Sequence, residues 1–171
     1  MIEDNKQRKN RFSAPPQRTS EATAEKNIFS DGKEYKVAVY MRAVYIDEQQ
    51  IASYELQKKY YTDLIDRQSN WRLVDIYCDP RASGTSLTNR EQFKKMIADC
   101  EKGERDINLI ITKSISRFSR NIADLMAAIE KLSRLTPPVG VYFELEKLYS
   151  LDEEHWPIIT KINSIAQDGR S

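Results

Sequence analysis

The sequence predicts a three-layer α/β domain with a central, mostly parallel sheet of about four strands and helices on both faces. Three observations carry this. Short uncharged apolar runs recur along the chain, as in Val37-Ala38-Val39-Tyr40-Met41 and Leu109-Ile110-Ile111. Strands buried on both faces read that way. Between the runs, apolar residues repeat at helical spacing, and strand and helix alternate four times.

Residues 1–34 are polar, mixed in charge, broken by Pro15-Pro16 and without a period, so a mobile tail is expected there. Order is expected from residue 35 onward. A first strand begins at Lys36 and is closed by Arg42, a costly residue at a buried strand end unless it is partnered. Ser53 is placed to cap a helix running to about Arg67, with Leu56, Tyr60 and Leu64 on one stripe. Trp71 to Tyr77 forms a second strand, ended by Asp79-Pro80. The stretch from Arg81 to Arg90 is rich in small hydroxyl residues around Gly84 and forms a loop. Phe93, Met96, Ile97 and Cys100 then repeat helically, with Gly103 as C-cap and Cys100 as a core thiol.

Ile107 to Thr112 gives the third strand. A polar bend follows, and then a third helix from Asn121 to Leu135, with Asn121 as N-cap, Asp124 in the first turn and Pro137-Pro138 as the stop. Val139 to Phe143 is a fourth strand, and Asp152 to about Gln167 a fourth helix. The lone His155 is expected at the surface or in a capping role. No internal repeat is present.

Totals exclude several classes. With 171 residues the chain fits one domain of ordinary size. Lysine and arginine total 27 against 26 acids, so net charge does not announce a nucleic-acid partner, and any such role must rest on local arrangement. Cys78 and Cys100 are far apart without a CxxC or Cys/His cluster, which argues against zinc and a disulfide framework. No apolar run approaches the ~20 residues of a membrane span. No signal peptide opens the chain, and a cytoplasmic protein is expected. There is neither GxxxxGK[ST] nor GxGxxG, so no nucleotide cofactor is expected, and no metal. No carboxylate pair follows the first strand, which weakens an aspartyl-phosphate chemistry.

The bend between the third strand and third helix holds Arg117 and Arg120, three residues apart and able to face the same way. Such a bend, at a strand's carboxyl end and a helix's amino end, is where an open α/β sheet places its ligand. Two fixed cations there either clamp an anion, phosphate being the commonest, or solvate a loop and pair with nearby carboxylates. With the first and third strands adjacent, Arg42, Arg117 and Arg120 emerge at one edge. The loop ending in Arg90 can reach over them, and four guanidiniums around one spot would trap a phosphate.

Val39-Tyr40-Met41-Arg42, Asp47-Glu48-Gln49, Ser53-Tyr54-Glu55-Leu56-Gln57, Trp71-Arg72-Leu73-Val74, Ser83-Gly84-Thr85-Ser86 with Arg90, and Ser116-Arg117-Phe118-Ser119-Arg120-Asn121 closely resemble the catalytic domain of serine recombinases. The resemblance is best to the large-integrase and transposon-type branch of the resolvase/invertase family. It spans roughly Lys36 to Ser171, through Val141-Tyr142-Phe143-Glu144 and Ile165-Ala166-Gln167. It implies a resolvase-type fold and site-specific cleavage and rejoining of DNA through a 5′-phosphoserine link, without metal or nucleotide. Partners would be DNA and other recombinase subunits, as homo- or hetero-oligomer. Arg42, Arg90, Arg117 and Arg120 match the arginines that stabilise the phosphate, while Gln57 and Ser116 match residues that help arrange the site.

One departure is chemical. The family places its nucleophilic serine two positions after the first arginine, where this chain has Val44 in Arg42-Ala43-Val44. Tyr45 points to the opposite side of an extended chain, and Ser53 matches a helix-capping serine, so neither is expected to stand in. The resemblance therefore implies a degenerate active site, or a non-catalytic module that pairs with an active recombinase. The second departure is the end at Asp168-Gly169-Arg170-Ser171. Family members continue into a long dimer helix and DNA-binding domains, so weak, salt-dependent DNA contact is expected.

Overall fold

The structure, a computed structural model, describes residues 29, 31–43, 48–80 and 90–168, with the helical stretches 48–51 and 163–168 described as backbone only. The chain divides into two units, Met1–Asp31 and Gly32–Ser171, and the described helices and strands belong to the second. Most of the expected tail lies outside the described residues, as do Val44, Tyr45, Asp47 and the 81–89 loop.

The elements run β1 (Tyr35–Ala43), α1 (Glu48–Asp66), β2 (Trp71–Pro80), α2 (Glu91–Lys102), β3 (Leu109–Thr112), the single turn α3 (Ile115–Phe118), α4 (Ile122–Ser133), β4 (Gly140–Phe143), β5 (Leu148–Tyr149) and α5 (Trp156–Asp168). They form one sheet in the order β2-β1-β3-β4-β5. β1 pairs in parallel with both β2 and β3, and β3 with β4, so the two central strands are the ones expected to be adjacent. The fifth strand, β5, was not anticipated; it pairs antiparallel to β4 through Tyr142–Tyr149 and Phe143–Leu148. Two residues are too few to show a period.

Alternation along β1 divides the core into two layers. Ala38 and Tyr40 join Tyr77, Met96, Cys100, Ile110, Phe118, Leu125, Ile129, Val141 and Phe143 in one buried cluster. Val37 and Val39 face the other way, where α1, which packs on β1 and β2, buries Tyr61 and Ile65. This corrects the expected stripe on α1: Leu56 is 71% and Tyr60 53% exposed. The helix also begins before Ser53, which is an exposed interior residue and not a cap. The α4 cap is as expected, Asn121 accepting from the Ala123 and Asp124 amides. Gly103 closes α2 at φ 70°, a left-handed backbone that glycine adopts without steric cost.

His155 is half-buried and joins β5 to the start of α5, its Nδ1 accepting from the Tyr149 amide at 2.9 Å. Cys100 is a core thiol, and burial pushes its pKa up to about 12.

Candidate phosphate site at the carboxyl edge of the sheet

The edge where β1, β3 and β4 end is built around Phe118. Its ring is fully buried and meets Tyr40, Phe93 and Phe143 edge-on, with centroids 6.3, 5.0 and 5.8 Å apart. Such contacts add ~0.5–1.5 kcal/mol each beyond area burial. A residue anchored this firmly fixes the backbone on either side of it, and that backbone carries the bend.

Two further devices hold the bend. Ser114 caps α3, its Oγ accepting from the Arg117 amide at 3.3 Å, and both oxygens of Glu146 accept from the Ile115 amide, at 3.2 and 3.3 Å. Past the turn, Ser119 is buried and its Oγ donates to the Asn121 carbonyl at 2.8 Å. What remains outward is Ser116, exposed, with Oγ 3.1 Å from Ser114 Oγ, then half-buried Arg117 and exposed Arg120.

Arg90 reaches this bend from β2's side. It precedes α2 in a left-handed conformation, φ 49° and ψ 48°, and gives the helix no side-chain cap. Asp79, only 2% exposed at the end of β2, does the capping, accepting from the Gln92 and Phe93 amides at 2.9 and 3.0 Å. Arg90's guanidinium lies over the Phe93 ring, 3.8 Å from its centroid, and beside that of Tyr40. It donates through Nε to the Tyr40 hydroxyl and through Nη2 to the Phe118 carbonyl. The Tyr40 hydroxyl in turn donates to Asp79 Oδ2 at 2.9 Å. Burial first, and then the Asp79 carboxylate, push that phenol up to about 12 against the pull of Arg90.

Arg42 stands two residues after Tyr40 on β1, opposite Asp79 in the β1–β2 register and on the face that Tyr40 and Arg90 share. Gln57 sits on α1, across the sheet, one turn before Tyr61. It is half-buried and makes no hydrogen bond among the described residues. The chain from α1 does come near Arg117 by another route. Tyr60 donates to Glu144 Oε2 at 2.8 Å, and the Tyr61 hydroxyl is raised by burial first and then by Glu144, with Arg117's charge pulling the other way. Val44 and the Ser83–Ser86 hydroxyls lie outside the described residues.

Sequence reasoning missed Tyr40, Asp79, Ser114, Glu144 and Glu146. Each acts across the sheet or between consecutive loops, so no local spacing marks it. Asp79 left the best trace, a carboxylate closing a strand ahead of a helix with no capping side chain of its own. Among the described residues no group of three or more His, Cys, Asp or Glu is disposed to hold a metal ion. No described helix is long and apolar enough to cross a membrane.

Fold and edge together define an α/β domain that presents arginines beyond the carboxyl ends of central parallel strands. The sequence model described as "Resolvase, N terminal domain" matches residues 37–168, and the chain belongs to that family, the catalytic domains of serine recombinases. Two solved structures share the fold. The N-terminal catalytic domain of TP901-1 integrase is 20% identical, with a TM-score of 0.53, over 79% of this chain and 96% of that one. A resolvase family site-specific recombinase from Streptococcus pneumoniae is 23% identical, with a TM-score of 0.58, over 78% and 90%. No curated protein matches significantly.

Proposed function

We propose that this chain is a DNA-directed serine recombinase domain whose strand-cleaving chemistry is silent. The observation that supports phosphate binding is the seating of Arg90 against the Phe118 carbonyl, between Arg117 and Arg120 in sequence. Guanidiniums set in fixed directions at a rigid edge suit the non-bridging oxygens of a DNA phosphate. In this reading Arg42, Arg90, Arg117 and Arg120 hold the phosphate, and Gln57 and Ser116 help arrange it. In the family's chemistry a serine oxygen attacks phosphorus and the 3′ oxygen leaves, giving a 5′-phosphoserine. Val44 offers only methyl groups, with no lone pair to attack and no proton to give up. Loss of a nucleophile costs on the order of a million-fold, or ~8 kcal/mol of barrier.

Incubation with supercoiled plasmid should give no covalent protein–DNA adduct on a denaturing gel, and an adduct would overturn the silence. Non-covalent binding should be weak and salt-dependent. Four phosphate contacts give a log–log slope of about −3.6 at most.

A second reading is favoured by the exposed apolar residues Leu56 and Tyr60 on α1 and Ile158 and Ile162 on α5. It makes the chain a non-catalytic module that pairs with an active recombinase and tunes it. Stable co-elution with an active family member, with that partner's cleavage altered, would support it. Cleavage regained on Val44→Ser, in a chain joined to a family DNA-binding region, would favour the decayed enzyme.

A further inference from the structure

We infer that Arg105 and Asp75 close an open edge of the sheet: joined as a pair, they occupy the backbone groups of β2 through which a second copy of this chain would otherwise pair strand to strand. Arg105 lies in the loop leading into β3, at the amino ends of the strands, so the inference does not depend on how the 116–120 bend is read.

Among the described strands β2 is outermost on one side of the sheet and β5 on the other. β5 has two residues, too few to template a further strand, whereas β2 has ten. A row of unpaired N–H and C=O groups of that length invites another strand, and folded proteins blunt it. β1 is buried at all but two of its nine positions, while β2 is buried only at Tyr77 and Asp79, as expected of a strand covered on its faces and open along its outer side.

Two devices act at the middle of β2. The ladder to β1 skips Val74, with Val37 opposite Leu73 and Ala38 opposite Asp75, so the strand carries a bulge there. The second device is the ion pair. Arg105 Nη2 donates to the Val74 carbonyl at 3.3 Å, and Asp75 Oδ1 accepts from the Ile76 amide at 2.8 Å. Arg105 Nη1 and Asp75 Oδ2 meet at 2.7 Å and tie the two together. A strand added opposite Asp75 would give an N–H to that same carbonyl and a carbonyl oxygen to that same amide. Guanidinium and carboxylate thus take the places of the donor and acceptor that an incoming strand would bring.

Arg105 is also held from behind. Nη1 donates to the Tyr77 hydroxyl at 3.1 Å, and that hydroxyl donates to Asp99 Oδ2 at 2.6 Å. The partner this arrangement excludes is another copy of the chain. A two-fold axis at the middle of β2 would set the strand antiparallel to itself and join two five-stranded sheets into one. Half-buried Leu73, Val74, Ile76 and Cys78 would then complete their burial against the copy.

Sedimentation velocity of the full chain, with hydrogen exchange of β2 read over the same concentrations, tests this. Arg105→Met keeps the stem and removes the donors, and Asp75→Ala frees the Ile76 amide and unties Arg105. At ~100 µM, within the range where unpaired strand edges associate, each should raise the weight-average mass to about one and a half times that of the wild type. Exchange of the Val74 and Cys78 amides, which share the outward direction of the Ile76 amide, should slow as concentration rises. Lys36→Met, which breaks the Lys36–Asp106 pair and leaves the edge closed, should match the wild type. Folded variants that keep the wild-type mass and exchange overturn the inference. So does association without protection in β2, or equal association by Lys36→Met. Arg105 and Asp75 side chains are 37% and 38% exposed, so both variants should fold. If one does not, the other decides; if neither does, the pair serves stability and the inference falls.

Discussion

Replacing Phe118 with alanine should be among the most damaging single changes in the domain. The ring is fully buried, and Tyr40, Phe93 and Phe143 close on it from three directions. Removing it forfeits the transfer of the ring from water and leaves a cavity that three rigid aromatics cannot fill, about 3–5 kcal/mol together. The edge-on contacts overlap with that figure and are not added to it. Against a total stability of roughly 5–15 kcal/mol, the variant keeps its fold only narrowly. Urea unfolding followed by far-ultraviolet circular dichroism reads the loss. With an m-value of about 2 kcal/mol/M, a 4 kcal/mol loss moves the midpoint down by ~2 M. Phe118→Leu, which keeps most of the volume, should lose much less. A Phe118→Ala shift below ~0.5 M would mean that the ring does not sit at the centre of this cluster, and the account of how the bend is held would go with it.

Burial makes other perturbations readable. The Tyr40 hydroxyl rises from an ordinary 10.0 to about 12 and the Cys100 thiol from 9.0 to about 12, both through burial first. Below about pH 8 these groups are protonated in both states. Between 9 and 12 the unfolded chain releases protons that the folded chain keeps, so stability falls as pH rises; Tyr40→Phe should flatten part of that limb in urea melts at pH 9 and 11. A thiol reagent at neutral pH should modify half-exposed Cys78 well before Cys100, and equal rates would contradict the burial of Cys100. Gly140→Ala should destabilise by about 1–3 kcal/mol in thermal melts, because a methyl group there would overlap the ring of buried Tyr149; an unchanged melting point would refute the close approach.

The strands were legible because Val37–Met41, Leu109–Ile111 and Val139–Phe143 are apolar without interruption, which only a two-sided burial explains. Helix ends were legible where one residue carries the signal, as at Asn121 and Gly103. The α1 stripe was not. Leu56, Tyr60 and Leu64 repeat every fourth residue, but Tyr61 and Ile65 do too, one step around the helix. Which row faces the sheet is decided by the fit against Val37 and Val39, not by period. At the site the arginines could be picked out by charge and spacing, whereas their supports could not. Asp79, Tyr40, Glu144 and Glu146 act on residues drawn from other elements, and that pairing exists only once the sheet has formed.

Arg90 and Arg120 also show why retained arginines do not by themselves argue for retained chemistry. Arg90 lies over two rings and bonds a backbone carbonyl, so it serves the core as well as any anion. Selection for folding alone would keep it whether or not the chemistry is kept. Arg120 is exposed and makes no hydrogen bond or ion pair among the described residues. Arg120→Ala should therefore leave thermal stability within ~0.5 kcal/mol. If the bend still meets DNA, the same change should lower the salt slope of binding by ~0.9, as Arg90→Gln does, while Arg90→Gln alone also lowers the melting point. A chain in which Arg90→Gln costs stability and Arg120→Ala costs nothing in either measurement would have kept the scaffold of a recombinase without its hold on DNA.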